Sequence, residues 1–262
     1  DYEVPVRLYF PDEEAMQREP KEPLDLPVLL FFHGGGWVTE SVDTYNRVCA
    51  RMAQSTGQIV MSVEYRLAPE YRFPTAFDDC YAAAKELYTT DHLLKTMPEH
   101  ITVIGDSAGG NLAAAVCLKA RDTGDFKVHR QILIYPALNN CYTEASPYPS
   151  VKENGTDYLL TAVKMEDYLK LYESGPKDRK NPYFSPLQEQ DYHGLPRTLI
   201  LTAEFDPLRD EGEEYARRLL AAGNEVEQHR INGALHGFFA LGIKFLHVQE
   251  SFDYINSFLE RR

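Results

Sequence analysis

Residues 101–112 read ITVIGDSAGGNL, and this stretch decides the fold. The apolar run at its start has the length of a strand, and an Ala-rich segment with helical spacing, Ala108–Arg121, follows Ser107. A G-x-S-x-G pattern between a strand and a helix is typical of a nucleophile elbow, a sharp turn that exposes the serine. The glycines on either side leave room for that turn because they carry no side chain. In the alternative, Ser107 only caps the helix; the flanking strand and helix favour the elbow.

Strand-length apolar runs alternate with helical patterns on both sides of this elbow. The predicted strands are Glu3–Phe10, Val28–Phe32, Gln58–Glu64, Ile101–Gly105, Gln131–Tyr135, Thr198–Ala203 and Glu225–Ile231. The predicted helices are Thr44–Thr56, Thr75–Asp91, Ala108–Arg121, Asp210–Ala222 and Lys244–Leu259. Continuously apolar runs indicate strands that helices cover on both faces, so the alternation predicts a mostly parallel sheet. The connection between the first two strands has no room for a helix, and we expect those two strands to form an antiparallel pair.

Residues 139–185 interrupt the alternation. They are rich in Tyr, Pro, Asn and Gly, and their pattern predicts one helix, Ala162–Glu173. Such an excursion would cover the carboxyl ends of the strands, where open α/β sheets bind ligands; the alternative is a long surface loop. The tyrosines and leucines in the segment favour an ordered cap. The sequence therefore predicts a single domain over residues 1–262 with a cap inserted at about 139–185.

Composition and charge exclude several classes of partner. The 262 residues are 44% hydrophobic, and 27 Lys and Arg against 40 Asp and Glu give a net charge of −13. This charge repels phosphates and anionic lipids, so we expect no nucleic-acid or membrane partner. The four cysteines stand singly, without zinc-site spacing, which predicts free thiols, no metal and a cytoplasmic location; one disulfide is the alternative. The longest apolar runs fall short of the roughly 18 residues that a transmembrane helix needs.

A second motif, HGGGW at 33–37, follows the second predicted strand. Consecutive glycines cost backbone entropy, and a plain turn would need only one or two of them. Backbone N–H groups without neighbouring side chains can approach a substrate oxygen closely, as an oxyanion hole requires. We therefore expect the N–H groups of Gly34 and Gly35 to act together with that of Ala108. We expect His33 to hold the loop by a hydrogen bond rather than to transfer protons.

A serine nucleophile needs a base, and the base needs a carboxylate to orient it. Among the eight histidines, His236 lies between glycines in a loop after the last predicted strand, from which it can reach a neighbouring strand end. Asp206 follows the strand at 198–203. Glu204 and Asp210 are rivals for the carboxylate, and Asp210 better suits the start of the next helix. The order Ser107, Asp206, His236 is the nucleophile, acid, base order of α/β hydrolases.

The chain resembles the hormone-sensitive-lipase-like group of α/β-hydrolase carboxylesterases. The motifs that carry the resemblance cover nearly the whole chain in order: HGGGW (33–37), SVEYRLAPEYRFPTAFDDC (62–80), GDSAGGNLA (105–113), YPAL (135–138), SPL (185–187), DPLRDEGEEYARRL (206–219) and HGF (236–238). The resemblance implies the α/β-hydrolase fold, with a mostly parallel central sheet, helices on both faces and an inserted cap. It implies catalytic or oxyanion-binding roles for the residues singled out above, Ser107, Asp206, His236, Gly34, Gly35 and Ala108.

The resemblance also implies a chemistry and an assembly. Its members cleave esters, and they often dimerise through their last strand and helix, here Glu225–Ile231 and Lys244–Leu259. They usually carry cap helices before the first strand. In this sequence the first predicted strand begins almost at Asp1, so we expect those N-terminal helices to be absent.

The expected function is that of a serine carboxylesterase for short- to medium-chain acyl esters, without a cofactor and with a small-molecule ester as its partner. A deacetylase of acetylated sugars, an arylformamidase or an amidase on the same scaffold is the alternative, and a non-enzymatic ligand receptor is a more distant one. Aromatic and apolar residues beside the motifs are expected to line the pocket, although plain packing would also explain them: Trp37, Tyr45, Phe205, Leu208 and Phe238. The acidic run at 210–214 is interpreted as a helix N-terminus enriched in acid, which the helix dipole favours.

Overall fold

A computed structural model describes residues 2–17 and 27–261. Within these ranges the strands form a seven-stranded sheet in the order β1-β3-β2-β4-β5-β6-β7. The strands are β1 (Val6–Tyr9), β2 (Val28–Phe32), β3 (Ile59–Val63), β4 (Ile101–Asp106), β5 (Arg130–Ile134), β6 (Arg197–Phe205) and β7 (Val226–Leu235). The helices are α1 (Glu13–Gln17), α2 (Asn46–Thr56), α3 (Thr75–Thr89), α4 (Ala108–Thr123), α5 (Pro149–Asn154), α6 (Ala162–Tyr172), α7 (Arg209–Ala221) and α8 (Leu246–Glu260).

The central strands are apolar along their whole length because helices cover both faces of the sheet. Every residue of β2, β3 and β4 is buried. Their alternate side chains enter two separate hydrophobic clusters, with Leu30 in one and Leu29 in the other. The predicted α/β-hydrolase fold, with its mostly parallel sheet and helices on both faces, is therefore confirmed.

The position of β1 differs from the prediction. It pairs antiparallel with β3, with Val6 opposite Val63, while β2 lies parallel between β3 and β4. The expectation that the first two strands pair was wrong, and so was the absence of a helix between them, because α1 follows β1. The half-buried pattern of β1 suits the edge of the sheet, whereas the fully buried β2 needs a neighbour on each side.

The last strand is longer than predicted. We expected it to end at Ile231 and expected His236 to lie in a following loop, but β7 continues to Leu235. A shift in register near Ala203 and Phe205 of β6 lets this extension pair, with Phe205 opposite Leu235. His236 therefore follows directly on a paired strand, which holds its backbone more firmly than a loop would.

Residues 139–185, which we call the insert, contain α5, α6 and a 3-10 turn at Asp178–Lys180. The predicted helix within it is present as α6, one residue shorter at its end, but the expectation of one helix was wrong because α5 is a second one. Thr161 caps α6 by accepting a hydrogen bond from Lys164 N. The insert packs on the loop after β2, where the ring of Tyr172 stacks on Trp37 with centroids 4.7 Å apart. The insert is thus ordered and lies beside the HGGGW motif.

The four cysteines are free, as predicted, and Cys141 is the one among them that is partly exposed. Among the helices of residues 2–17 and 27–261, none is long and apolar enough to cross a membrane.

Candidate active site

Ser107 lies in the sharp turn between β4 and α4. Its backbone has φ 54° and ψ −117°, a conformation that residues other than glycine rarely adopt. The turn is held by Ser107 N–H, which donates to Ile134 O at 2.9 Å, and by Ala137 N–H, which donates to Ser107 O at 3.1 Å. A Cβ at Gly105 would lie 2.2 Å from the carbonyl oxygen of Gly109, so the turn closes only because that position has no side chain. The predicted elbow is present.

The structure brings the three predicted triad residues together. His236 Nε2 lies 2.9 Å from Ser107 Oγ, and His236 Nδ1 lies 2.7 Å from Asp206 Oδ2. In this arrangement Nδ1–H donates to the carboxylate, which leaves Nε2 as the acceptor for the serine proton. Asp206 is fully buried, and its Oδ1 accepts a hydrogen bond from Leu208 N–H at 2.9 Å. The acid is thereby fixed in place on the side away from the histidine.

The two rival carboxylates have other partners. Glu204 Oε2 accepts from Gly233 N–H at 2.7 Å, and this bond supports the extension of β7. Asp210 Oδ2 accepts from Ser150 N–H at 2.7 Å and so ties α5 to the start of α7. Neither one is hydrogen-bonded to His236, so the geometry favours Asp206.

The loop of residues 33–37, which we call the oxyanion loop, corrects one prediction. Gly34 N–H donates to Asp106 Oδ1 at 2.8 Å, so it points into the protein instead of the cleft. Gly35, Gly36 and Ala108 line the cleft, and none of their N–H groups donates to another described residue. The expectation for Gly34 was wrong because its N–H group donates a hydrogen bond to a buried carboxylate. Gly36 stands in its place beside Gly35.

His33 holds the oxyanion loop from below, as expected. Its Nδ1–H donates to Gly34 O at 2.7 Å, and Tyr65 Oη–H donates to His33 O at 2.7 Å. Burial lowers the pKa of His33 to about 4, so the ring is neutral at physiological pH. A neutral, buried ring that stacks on Tyr65 cannot exchange protons with substrate and acts as a support.

Asp106, the residue before the serine, is buried and accepts three hydrogen bonds. Gly34 N–H binds Oδ1, while the hydroxyls of Tyr45 and Tyr135 lie 2.9 and 3.4 Å from Oδ2. Burial raises the pKa of Asp106 to about 6, against these hydrogen bonds, which lower it. Burial also raises the pKa of both tyrosines well above the usual range, so they remain protonated donors.

A cleft of about 520 Å³ opens over Ser107 and His236. Of the predicted pocket residues, Trp37 and Tyr45 line this cleft. The other three pocket predictions were wrong. Phe205 packs on Tyr158, Leu208 is fully buried at the start of α7, and Phe238 packs edge-on against Tyr135. Leu208 and Phe238 are buried in the two hydrophobic clusters, and Phe205 is half-buried, so nearness to a motif in sequence did not place these side chains in the cleft.

The insert supplies cleft residues that the sequence reasoning missed: Leu159, Leu160, Lys164, Met165 and Tyr168. Met165 and Tyr168 lie three positions apart on α6 and therefore share one face of that helix. This spacing was a usable signal. The sequence did not predict which face of α6 points into the cleft, because that orientation depends on the packing of Tyr172 on Trp37. Tyr135 also lines the cleft and was missed.

In the part of the chain that the structure describes, no group of three or more His, Cys, Asp or Glu side chains is placed to hold a metal ion.

Comparisons with known proteins agree with this geometry. A family model described as alpha/beta hydrolase fold matches residues 29–240. An arylesterase of Saccharolobus solfataricus is 37% identical over 239 residues, which cover 91% of this chain and 74% of that protein. An ethyl acetate hydrolase of Pseudomonas putida is 39% identical over 241 residues, covering 91% of this chain and 72% of that protein. The solved structure of a hyperthermophilic esterase from Pyrobaculum calidifontis superposes with a TM-score of 0.88 at 40% identity, over 98% of this chain and 81% of that one. The chain therefore belongs to the α/β-hydrolase family, in its hormone-sensitive-lipase-like group of carboxylesterases.

Proposed function

We propose that this chain is a serine carboxylesterase that hydrolyses short- to medium-chain acyl esters through Ser107, His236 and Asp206. The observation that carries the proposal is the continuous hydrogen-bonded row from Asp206 through His236 to Ser107 Oγ, which ends in a cleft beside unpaired backbone N–H groups. Relatives named as an ethyl acetate hydrolase and an arylesterase support the ester chemistry.

In the proposed mechanism, His236 Nε2 takes the proton of Ser107 as Oγ attacks the ester carbonyl carbon. Asp206 stabilises the imidazolium that forms and keeps Nδ1–H pointed at itself. The tetrahedral intermediate collapses when His236 returns the proton to the leaving alcohol, which leaves an acyl group on Ser107. Water then attacks the acyl-enzyme by the same proton transfers and releases the carboxylic acid.

The negative oxygen of the tetrahedral intermediate would be held by the N–H groups of Gly35, Gly36 and Ala108. Ala108 is the first residue of α4, so its N–H group lies at the positive end of the helix dipole. A donor of this kind typically contributes about 3–4 kcal/mol of transition-state stabilisation. No cofactor is required for these steps.

We propose that the insert acts as the cap of this site. Leu159, Leu160 and Met165 of the insert line the cleft with apolar side chains, and Tyr168 lies over Gly36. A cleft of about 520 Å³ is large enough to hold a small ester. The single-domain organisation over residues 1–262 stays part of this proposal.

We also propose a cytoplasmic location. All four cysteines are free, and Cys49, Cys80 and Cys117 are buried, as is typical of proteins in a reducing compartment.

The direct test is hydrolysis of p-nitrophenyl acetate, butyrate, octanoate and palmitate by the parent protein and by Ser107→Ala. Ser257→Ala, a change on α8 far from the cleft, is the matched control. We expect turnover of the shorter esters and a loss of at least about 10³-fold in kcat for Ser107→Ala alone.

Other outcomes would contradict the proposal. Equal activity in the parent and in Ser107→Ala would remove Ser107 from the mechanism. A folded parent that ignores these esters but cleaves p-nitroacetanilide would make the chain an amidase. A folded parent that cleaves neither would favour a receptor.

A further inference from the structure

We infer that Asp106 is a positioning residue, whose side chain holds the oxyanion loop in register with the nucleophile. This inference rests on the proposed function, and it adds to it a residue whose carboxylate is hydrogen-bonded to Gly34, Tyr45 and Tyr135 and not to Ser107 Oγ or the ring of His236. The contacts of Asp106 join parts of the site that come from separate segments of the chain.

The loop and the elbow leave the sheet side by side. β2 and β4 are parallel neighbours, with Phe32 opposite Gly105, so the oxyanion loop begins next to the turn that carries Ser107. Asp106 spans this gap, because its backbone belongs to the end of β4 and its Oδ1 accepts the N–H of Gly34, 72 residues earlier in the chain. The next residues of each segment, Gly35 and Ser107, face the cleft.

The surroundings of Asp106 suit a group that only accepts hydrogen bonds. Gly34 N–H can only donate, and the hydroxyl of Tyr45 donates at 2.9 Å to the other oxygen. An aliphatic side chain at this position would leave a buried N–H unpaired, which destabilises the loop in its present position. The loop would then be free to turn Gly34 N–H toward another acceptor, and the N–H groups of Gly35 and Gly36 would move with it.

A further contact links Asp106 to the side of the base. Tyr135, whose hydroxyl is 3.4 Å from Asp106 Oδ2, packs its ring 4.8 Å from the ring of His236. Tyr135 has φ 35°, so its backbone is held in a conformation that is rare for a side chain of this size. Asp106 thus fixes its neighbours on two sides of Ser107, with the loop on one side and the wall behind His236 on the other.

Burying an ionisable carboxyl group next to the nucleophile costs folding free energy, so we expect the carboxyl group to have a role in the site. A negative charge close to a developing oxyanion opposes that oxyanion, and the burial of Asp106 raises its pKa to about 6. Three donors offset part of this cost. A side chain that merely filled space could be apolar, whereas one that must capture a backbone N–H needs an acceptor.

The test compares Asp106→Asn, Asp106→Ala and Tyr45→Phe with the parent enzyme. Asparagine keeps one oxygen for Gly34 N–H and alanine keeps none, while Tyr45→Phe removes a donor to Asp106 but leaves the carboxylate in place. Asp125→Asn, at an exposed ion pair with Lys85, is the control for a lost charge. Active sites are counted first by titration with a p-nitrophenyl phosphonate, so that kcat refers to folded enzyme.

We expect kcat for p-nitrophenyl butyrate to fall by about 10–100-fold in Asp106→Ala, with KM within about threefold of the parent value. Asp106→Asn should recover most of this loss. The inhibition constant of an alkyl trifluoromethyl ketone, which forms a tetrahedral oxyanion on the serine, should rise by the same factor as kcat/KM falls. A side chain with only a structural role would change the number of active sites and not this constant.

The inference is overturned if Asp106→Ala, per active site, keeps kcat and the ketone inhibition constant within about threefold of the parent, or if Asp106→Asn and Asp106→Ala are equally impaired. The outcome is separate from that of the proposed function. A parent enzyme without esterase activity would contradict the esterase, while an active parent with an unimpaired Asp106→Ala would contradict only the role of Asp106.

Discussion

Gly36 meets two demands that a side chain could not meet together. Its φ is 61°, in the left-handed region, and a Cβ placed on it would lie 2.5 Å from the ring of Tyr168 on α6. The positive φ gives the oxyanion loop its shape, and the missing side chain lets α6 of the insert approach that loop. One position thus sets both the direction of a proposed oxyanion donor and the height of the cleft.

We therefore expect Gly36→Ala to lower kcat/KM about tenfold or more, because relief of the clash must move either the loop or α6. Gly57→Ala is the matched control: its φ is 67°, but no other described residue lies within 4 Å of the added Cβ. Gly57→Ala should lose about 1 kcal/mol of stability through backbone strain alone, and Gly36→Ala should lose more because the clash with Tyr168 adds to that strain; urea unfolding measures both. If Gly36→Ala kept the parent kcat/KM, the contact with Tyr168 would have no part in shaping the site.

At this scale the sequence predicted which three residues the structure brings into hydrogen-bond contact, and it missed the direction of one N–H group. Ser107, Asp206 and His236 each stand at a strand end marked by glycine or proline, and such marks are local. The partner of Gly34 N–H is a carboxylate 72 residues away, and whether a loop N–H points inward or outward depends on that tertiary contact. Consecutive glycines look alike in sequence, so Gly34 and Gly36 could not be told apart.

Helix α7 shows how one element joins the insert to the acid of the site. The acidic run at its start was interpreted as a helix N-terminus enriched in acid, but Glu211 within it is fully buried. Its Oε1 accepts from Leu138 N–H at 2.7 Å, from Asn139 N–H at 3.2 Å and from the hydroxyl of Tyr142 at 2.8 Å. Glu211 therefore fastens the beginning of the insert to the helix that follows Asp206.

Burial raises the pKa of Glu211 to about 8, although the hydrogen bonds from Leu138, Tyr142 and Asn139 lower it. Because the folded-state pKa lies above the unfolded value of about 4.5, the unfolded chain releases this proton first. The contribution of Glu211 to stability is thus fully present below about pH 4.5 and is lost as the pH rises through about 8.

We expect Glu211→Gln, which has the same shape and no charge, to remove this dependence. The free energy of unfolding of the parent, relative to the variant, should fall between pH 5 and 8 by up to about 4 kcal/mol. Urea unfolding at several pH values measures it, and Glu213→Gln, at an exposed pair with Arg230, is the control. A constant difference between parent and Glu211→Gln across this range would show that Glu211 is already ionised in the folded protein.

The strands and the long helices were predictable here, whereas the short helices α1 and α5 and the neighbours of the strands were not. Periodicity predicted α4 from its correct start and α6 to within one residue, because both depend on local apolar spacing. The pairing of β1 with β3 depends instead on which strand lies at the edge of the sheet. The extension of β7 depends on a register shift in β6. Neither the pairing of β1 nor the extension of β7 can be predicted from the local sequence pattern.

At the scale of the whole molecule, the sheet ends on one side in β7, a strand of ten residues. Thr198 N–H of β6 donates to Glu225 O, and Thr198 is opposite Val226. In a parallel ladder, bonding alternates along the strand, so Glu227 faces β6 while the N–H and C=O of Gln228 point away from it. A long edge with such groups is a template for another strand, and the resemblance to this family predicts a dimer through this strand and α8.

We therefore expect the protein to be a dimer in which β7 pairs with β7 of a second copy, and Gln228→Pro to make it a monomer. Proline removes an N–H that β6 does not use, so the fold should remain, as edge strands tolerate proline. Gln228→Ala is the control, since both changes lose the side-chain hydrogen bond to Thr202 Oγ1 at 3.3 Å. Light scattering after size-exclusion chromatography should give twice the mass of one chain for the parent and Gln228→Ala, and a single mass for Gln228→Pro. A parent that elutes as a monomer at about 50 μM would contradict the dimer. A Gln228→Pro variant that is still a dimer would show that the two copies associate through a surface other than the edge of β7, because pairing along this edge needs the N–H that proline lacks.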